Sequence, residues 1–87
     1  MKIIILYRSK SDHGRLTEEY ANQLKKFHPD LNIDMIENDS QDGISKANIY
    51  GIMSFPTILV VDDRLTLINY WTGAMFPTMD EVASYAR

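Results

Sequence analysis

Apolar residues recur along the chain in three rhythms. Residues 3–7 (Ile3, Ile4, Ile5, Leu6, Tyr7) and residues 57–61 (Thr57, Ile58, Leu59, Val60, Val61) are unbroken runs. Runs of this length and type predict strands covered on both faces. Leu31, Ile33 and Met35 alternate with Asn32 and Asp34, which predicts a second strand. The third rhythm is helical: Leu16, Tyr20, Leu24 and Phe27 are spaced by 4, 4 and 3 and share one face of a helix over residues 13–27. Ser11 or Asp12 is positioned to cap it, and His28-Pro29-Asp30 ends it, because the residue before proline avoids helical geometry.

Asn38-Asp39-Ser40 reads as a turn opening a short helix over 41–50, with Ile44, Ala47 and Tyr50 inward and Gly51 as its C-terminal stop. After the strand at 57–61, Asp62-Asp63-Arg64 is a turn into a paired strand over 65–71, broken by Thr72-Gly73-Ala74. Thr78-x-x-Glu81 is a capping box for a last helix with Met79, Val82, Ala83 and Ala86 inward. The order is β-α-β-α-β-β-α. The first strand–helix–strand unit is long enough for a right-handed crossover between parallel strands, and the last two strands form an antiparallel hairpin. One α/β domain over residues 1–87, a four-stranded mixed sheet flanked by helices, satisfies every apolar stripe.

Eighty-seven residues, 45% apolar and 24% charged, describe an ordinary globular chain. Zero cysteines exclude disulfides, thiolate metal sites and thiol nucleophiles. A net charge of −3 argues against a nucleic-acid face. No run approaches the ~20 apolar residues of a membrane span, and the apolar start turns charged too early for a signal peptide, so a cytoplasmic protein with no membrane partner is expected.

The segment Tyr50-Gly51-Ile52-Met53-Ser54-Phe55-Pro56-Thr57-Ile58-Leu59-Val60-Val61, with the Thr72-Gly73-Ala74 step and the element order, resembles the thioredoxin-like superfamily in its short, glutaredoxin-like form. The resemblance covers nearly the whole chain. It implies a thioredoxin-like fold, a cis bond between Phe55 and Pro56, and a backbone at Ser54-Phe55 able to pair with an extended peptide beside the family's redox loop. It also places Asp12-His13-Gly14-Arg15 where Cys-x-x-Cys belongs. Disulfide exchange requires a thiolate attacking sulfur, so the family's redox activity does not transfer. In this the chain is similar to short cysteine-free thioredoxin-like proteins with an acidic-His-x-Arg quartet.

Three readings of the remaining surface follow. Residues 8–15 carry Arg8, Lys10 and Arg15 against Asp12, a net +2, while the rest of the chain sums to −5. With Ser9, Ser11 and His13 at a helix N-terminus, this loop is a candidate for a small anion or a glutathione-type ligand. The competing reading is a solvated loop with an Asp12 cap and an Asp12–Arg15 contact. The second is protein or peptide binding along Ser54, Phe55, Pro56, Thr57 and Gly73, with Phe55, Tyr7 and Trp71 as an apolar shelf. For Trp71 and Tyr70, cross-strand packing competes with it. The third, a glutathione-transferase-like enzyme using Tyr7 or Ser9, lacks both the helical second domain and the acidic-Ser pair, for which Val61-Asp62-Asp63 stands instead.

Ser11 with His13 has no evident orienting third group. His13 and His28, at opposite ends of the first helix, are about 20 Å apart at 1.5 Å per residue and share no metal. Residues 38–43 resemble half a calcium loop, but its twelfth position is Ile49. The expectation is a redox-inactive binding or adaptor module without catalytic residues, metal or cofactor. The sequence leaves its oligomeric state open.

Overall fold

A computed structural model describes residues 1–73 and 75–85. The elements run β1 (Lys2–Tyr7), α1 (Gly14–Phe27), β2 (Ile33–Glu37), α2 (Gln41–Tyr50), β3 (Thr57–Val61), β4 (Leu67–Thr72) and α3 (Met79–Ser84). The four strands form one sheet in the order β2-β1-β3-β4. β1 pairs parallel with β2 and antiparallel with β3, and β3 pairs antiparallel with β4. The two unbroken apolar runs are therefore the two central strands, covered on both faces, as their composition requires.

The alternation along β1 and β3 sorts the core into two layers. Ile3, Ile5, Tyr7, Ile58 and Val60 face α1 and α3 and meet Ala21, Leu24 and Val82. Ile4, Leu6, Leu59 and Val61 face the other way, toward Ile52 and the inner side of α2 at Ala47 and Tyr50. Tyr20 anchors α1 to the segment before α3: its ring stacks on Phe76 at 4.7 Å, and its hydroxyl donates to Pro77 O at 2.9 Å.

The face of α1 differs from the one the apolar spacing predicts. Its buried residues are Gly14, Thr17, Ala21 and Leu24, while Leu16 and Phe27 are 52% and 62% exposed. The reason is close approach. Small side chains at positions 14, 17 and 21 let the helix backbone settle against the sheet and the preceding loop, and the large residues at the flanks stay out. Thr17 can be fully buried because its hydroxyl donates to His13 O at 2.7 Å, leaving no orphaned polar atom. Ile44 on α2 is likewise exposed rather than inward. The buried position there is Gly43, where an added Cβ would lie 1.9 Å from Glu37 O.

The helix ends follow local chemistry. Ser40 caps α2 by accepting from Gly43 N at 3.0 Å, and Gly51 closes it at φ 68°. Thr78 caps α3 by accepting from Glu81 N at 3.2 Å. Met79 packs partly against the core, Val82 and Ala83 are buried, and the expected inward Ala86 lies outside the described residues. The turn after β3 is longer than predicted: Asp62 Oδ1 accepts from the N–H groups of Arg64 and Thr66, and Leu65 sits at φ 63°, so β4 begins at Leu67 rather than 65. β2 likewise starts at Ile33 rather than Leu31 and runs on to Glu37. At the outer edge of β4, the Tyr70 N–H donates to Asn69 Oδ1 at 2.8 Å, while Asn69 Nδ2 donates to the Tyr85 hydroxyl. No described helix is long and apolar enough to cross a membrane.

Candidate functional site

β1 ends at Tyr7, and the chain crosses into a loop over residues 8–13 before α1. The loop is held by its own backbone. Ser11 N and the Ser11 hydroxyl both donate to Arg8 O, at 3.2 and 2.7 Å, and Gly14 N donates to Ser11 O at 3.1 Å. Ser11 Oγ also accepts from His13 N at 3.3 Å. The Ser11 hydroxyl is thus committed to the loop's structure and is not activated by the His13 ring. Gly14 fixes the distance between this loop and the helix: a Cβ there would lie 2.1 Å from Ser9 O and 2.8 Å from Arg8 O.

The α1 N-terminus departs from the expected capping. His13 is the capping residue, without a side-chain cap hydrogen bond, and no acid lies in the first turn. Neither Ser11 nor Asp12 fills that role. The expected Asp12–Arg15 contact gives way to a pair between Arg15 and Glu19 at 3.3 Å, one helical turn on. The geometry of i,i+4 favours it.

The parallel pairing of β1 and β2 aligns Tyr7 with Glu37 and brings the next residue, Asn38, to the same end of the sheet, where Asn38 N donates to Tyr7 O at 2.7 Å. From the other side, β3 starts beside β1, so Phe55 and Pro56 arrive next to the loop. The Phe55–Pro56 bond is cis. Gly73 N donates to Pro56 O at 2.8 Å, and the Thr57 hydroxyl donates to Ser54 O, tying this strand entry together.

Between these three segments is a cavity of about 350 Å³ lined by Tyr7, Arg8, Ser11, His13, Asn38, Phe55 and Pro56. Ser9 sits on the far side of Arg8, in a second hollow of about 420 Å³ with Lys10, Glu37 and Asp39. The structure thus unites Ser11, His13, Phe55 and Pro56, the two halves of the site expected from sequence. It sets Ser9 next door, holds Gly73 and Thr57 as supports of the strand entry, and leaves Asp12 and Arg15 outside both hollows. Trp71 is not part of the shelf. It packs in the layer facing α1 and α3, with its ring edge-on to Tyr85 at 5.8 Å, whereas Phe55 packs against the other layer. Arg8, counted from the sequence only in the positive charge of the loop, and Asn38, not singled out there, both line the cavity. The signal that could have found Asn38 is the parallel crossover itself, which sets the residue after β2 beside the loop after β1.

Two features set the site's electrostatics. The Tyr7 hydroxyl donates to Glu18 Oε2 at 3.0 Å. Burial, then that hydrogen bond, then the charges of Glu18 and Glu37 push its pKa up to about 12. Tyr7 is therefore a neutral phenol at any physiological pH, neither a base nor an activated nucleophile. Glu37 is held below the usual carboxylate range, first by hydrogen bonds from Ser9, with Lys10 and Arg8 adding favourable charge. Ser9 N donates to Glu37 Oε2 at 3.2 Å. Asn38 Oδ1 is buried and has no hydrogen-bond partner; an acceptor left so costs about 1–3 kcal/mol. Among the described residues no group of three His, Asp or Glu side chains is placed to hold a metal ion.

No family model matches the sequence, and no curated protein matches it either. Solved structures do match. Mitochondrial thioredoxin 3 from Saccharomyces cerevisiae superposes with a TM-score of 0.72 at 17% identity, covering 95% of this chain and 73% of that one. Thioredoxin 1 from Thermosipho africanus gives 0.70 at 17% identity, over 99% and 90%. Thioredoxin from Fasciola hepatica gives 0.73 at 14% identity, over 95% and 74%. The fold is thioredoxin-like. The chain has no cysteine, so the motif that defines thioredoxin chemistry is absent from it.

Proposed function

We propose that this chain is a redox-inactive thioredoxin-like module that binds an extended segment of a partner protein, without chemistry of its own. The observation that carries this reading is the cavity between the loop over 8–13 and the Phe55–Pro56 strand entry. The concave surface survives there although no thiol remains to make it catalytic. Phe55 and Pro56 give it an apolar wall, and Ser54, exposed just before, leaves main-chain groups within reach of a partner strand. The site holds no activated nucleophile: Tyr7 is held neutral by burial and by its hydrogen bond to Glu18, and Ser11 is bonded within its own loop. The cytoplasm is the compartment we assign.

Two measurements test this. Insulin reduction and glutathione-dependent dithiol assays are expected to give no turnover above buffer, and robust turnover overturns the inactive reading. In a titration of isotopically labelled protein with extended peptides, amide shifts are expected at residues 9–15 together with 54–57.

A second reading has its own observation. The α1 N-terminus carries no acid in its first turn, and although His13 N and Gly14 N are bonded to Ser11, the Arg15 and Leu16 N–H groups stand open to a small anion or a glutathione-type ligand. Phosphate or glutathione shifts confined to residues 9–15 favour it over peptide binding.

A further inference from the structure

The cavity beside Pro56 gathers three groups that the protein itself leaves unsatisfied. Arg8, exposed, forms no ion pair among the described residues; the nearby Glu37 carboxylate accepts from Ser9 instead. Asn38 lines the cavity and keeps a buried Oδ1 without a donor. Phe55 and Pro56 form an apolar wall across from them. A ligand that answers all three carries a carboxylate, an N–H and an apolar group within a few bonds of one another. That is the chemistry of the last residue of a polypeptide, whose carboxylate, amide N–H and side chain all spring from one Cα.

We propose that this cavity captures the free C-terminal residue of a partner polypeptide. The α-carboxylate lies against Arg8 with His13 alongside. The last peptide N–H reaches Asn38 Oδ1 through a small turn of that amide, and the terminal side chain rests on Phe55 and Pro56. The volume of about 350 Å³ falls at the low end of ligand pockets. It suits a terminal residue better than a long segment. An exposed arginine–carboxylate pair contributes little alone. Selectivity therefore needs both contacts together: the charge-assisted bond to Arg8, and the N–H to Asn38, whose buried Oδ1 makes an unmatched group costly. This inference rests on the peptide-binding reading and names which part of the partner enters the site.

The test uses hexapeptides ending in Leu, Phe, Val or Tyr, each prepared as the free acid, as the C-terminal carboxamide, and with the last peptide nitrogen methylated. Calorimetry and labelled-protein titration follow binding. The free acid is expected to bind about tenfold tighter than either analogue, with shifts at Arg8 and in the Asn38 side-chain amide. Arg8→Gln is expected to erase the difference between acid and carboxamide. Asn38→Ala is expected to weaken the free acid by about tenfold and abolish the effect of N-methylation, while the thermal midpoint stays level or rises because an orphaned acceptor has been removed. A merely structural asparagine would lower the midpoint and leave the methylation effect in place.

Equal affinity for acid and carboxamide overturns the proposal. If both then shift residues 54–57, the peptide-binding reading stands without it, and if no peptide binds, both fall. Acetate binding as well as the peptides do also overturns it, since a bare carboxylate would then be the whole ligand.

Discussion

Gly14→Ala puts the packing argument for the loop and α1 at risk. The new Cβ would stand 2.1 Å from Ser9 O, 2.6 Å from Ser9 C and 2.8 Å from Arg8 O, where ordinary contact begins at 3.4 Å. All three atoms are backbone, so no rotamer relieves the clash. Either the loop over 8–13 or the first turn of α1 must move by about 1.3 Å, the shortfall at Ser9 O. Overpacking of this kind costs roughly 1–3 kcal/mol. Alanine offsets it by up to about 1 kcal/mol through its better helix propensity. The clash wins, leaving a net loss of about 1–2 kcal/mol and a thermal midpoint lower by roughly 5–15 °C for a chain of this size. The displaced loop also carries Arg8, Ser11 and His13, so amide shifts are expected across residues 8–13 and at Phe55, on the opposite wall of the cavity. Calorimetry and a heteronuclear NMR spectrum read both effects. Asn22→Ala, on the exposed side of α1, serves as control and is expected within about 0.5 kcal/mol of the parent. A midpoint that rises in Gly14→Ala would refute the reasoning, since helix propensity would then be acting with no loop pressed against that position.

Alkaline titration should expose two phenols, one buried and one half-buried. Tyr7 and Tyr20 are both pushed up to about 12, burial being the first cause in each. Since the fold favours the neutral form, stability is whole below pH 10 and falls as pH rises toward 12, by roughly 2–3 kcal/mol per phenol; site-resolved ring-carbon NMR shifts of Tyr7 or Tyr20 that titrate at pH 10 in the folded protein contradict this. Glu37 works in the opposite sense. Its lowered pKa means its contribution is present above the ordinary carboxylate value of 4.5 and disappears as pH falls through the depressed one, so Glu37→Gln should flatten the acid limb of a stability–pH curve. On α1, Leu24→Ala is expected to cost about 2–5 kcal/mol, while Leu16→Gln and Phe27→Gln stay within about 0.5 kcal/mol in denaturant melts; comparable losses at all three would restore the helix face that apolar spacing predicts.

The element order was legible in the sequence because its strongest signals do not depend on tertiary detail. An unbroken run such as Ile3 to Tyr7 can satisfy itself only between two covering layers, while Gly51 marks a helix end by its backbone geometry and Thr78 by its side-chain hydroxyl. The helix faces were less legible. Apolar size pointed to Leu16 and Phe27, whereas the sheet admits α1 along Gly14, Thr17 and Ala21, where smallness and a self-satisfied hydroxyl matter more than hydropathy. The site was half legible. The resemblance placed His13 and Pro56 near each other, and the fold agrees. Asn38 was read as a turn because its role depends on the register between β1 and β2, which no local pattern encodes. The Asp12 cap failed for a related reason: the loop bonds within itself through Ser11 and hands the helix start to His13.

Asn69 bears on how the molecule behaves when crowded. An outermost strand normally offers its spare amides to whatever chain drifts alongside, and many proteins aggregate from that rim. Here one such amide, at Tyr70, is already occupied by the side chain next to it, which Tyr85 holds in place. A neighbouring copy seeking to extend the sheet would first have to evict that asparagine. Concentrated solutions should therefore stay clear, and Asn69→Ala should cloud on standing.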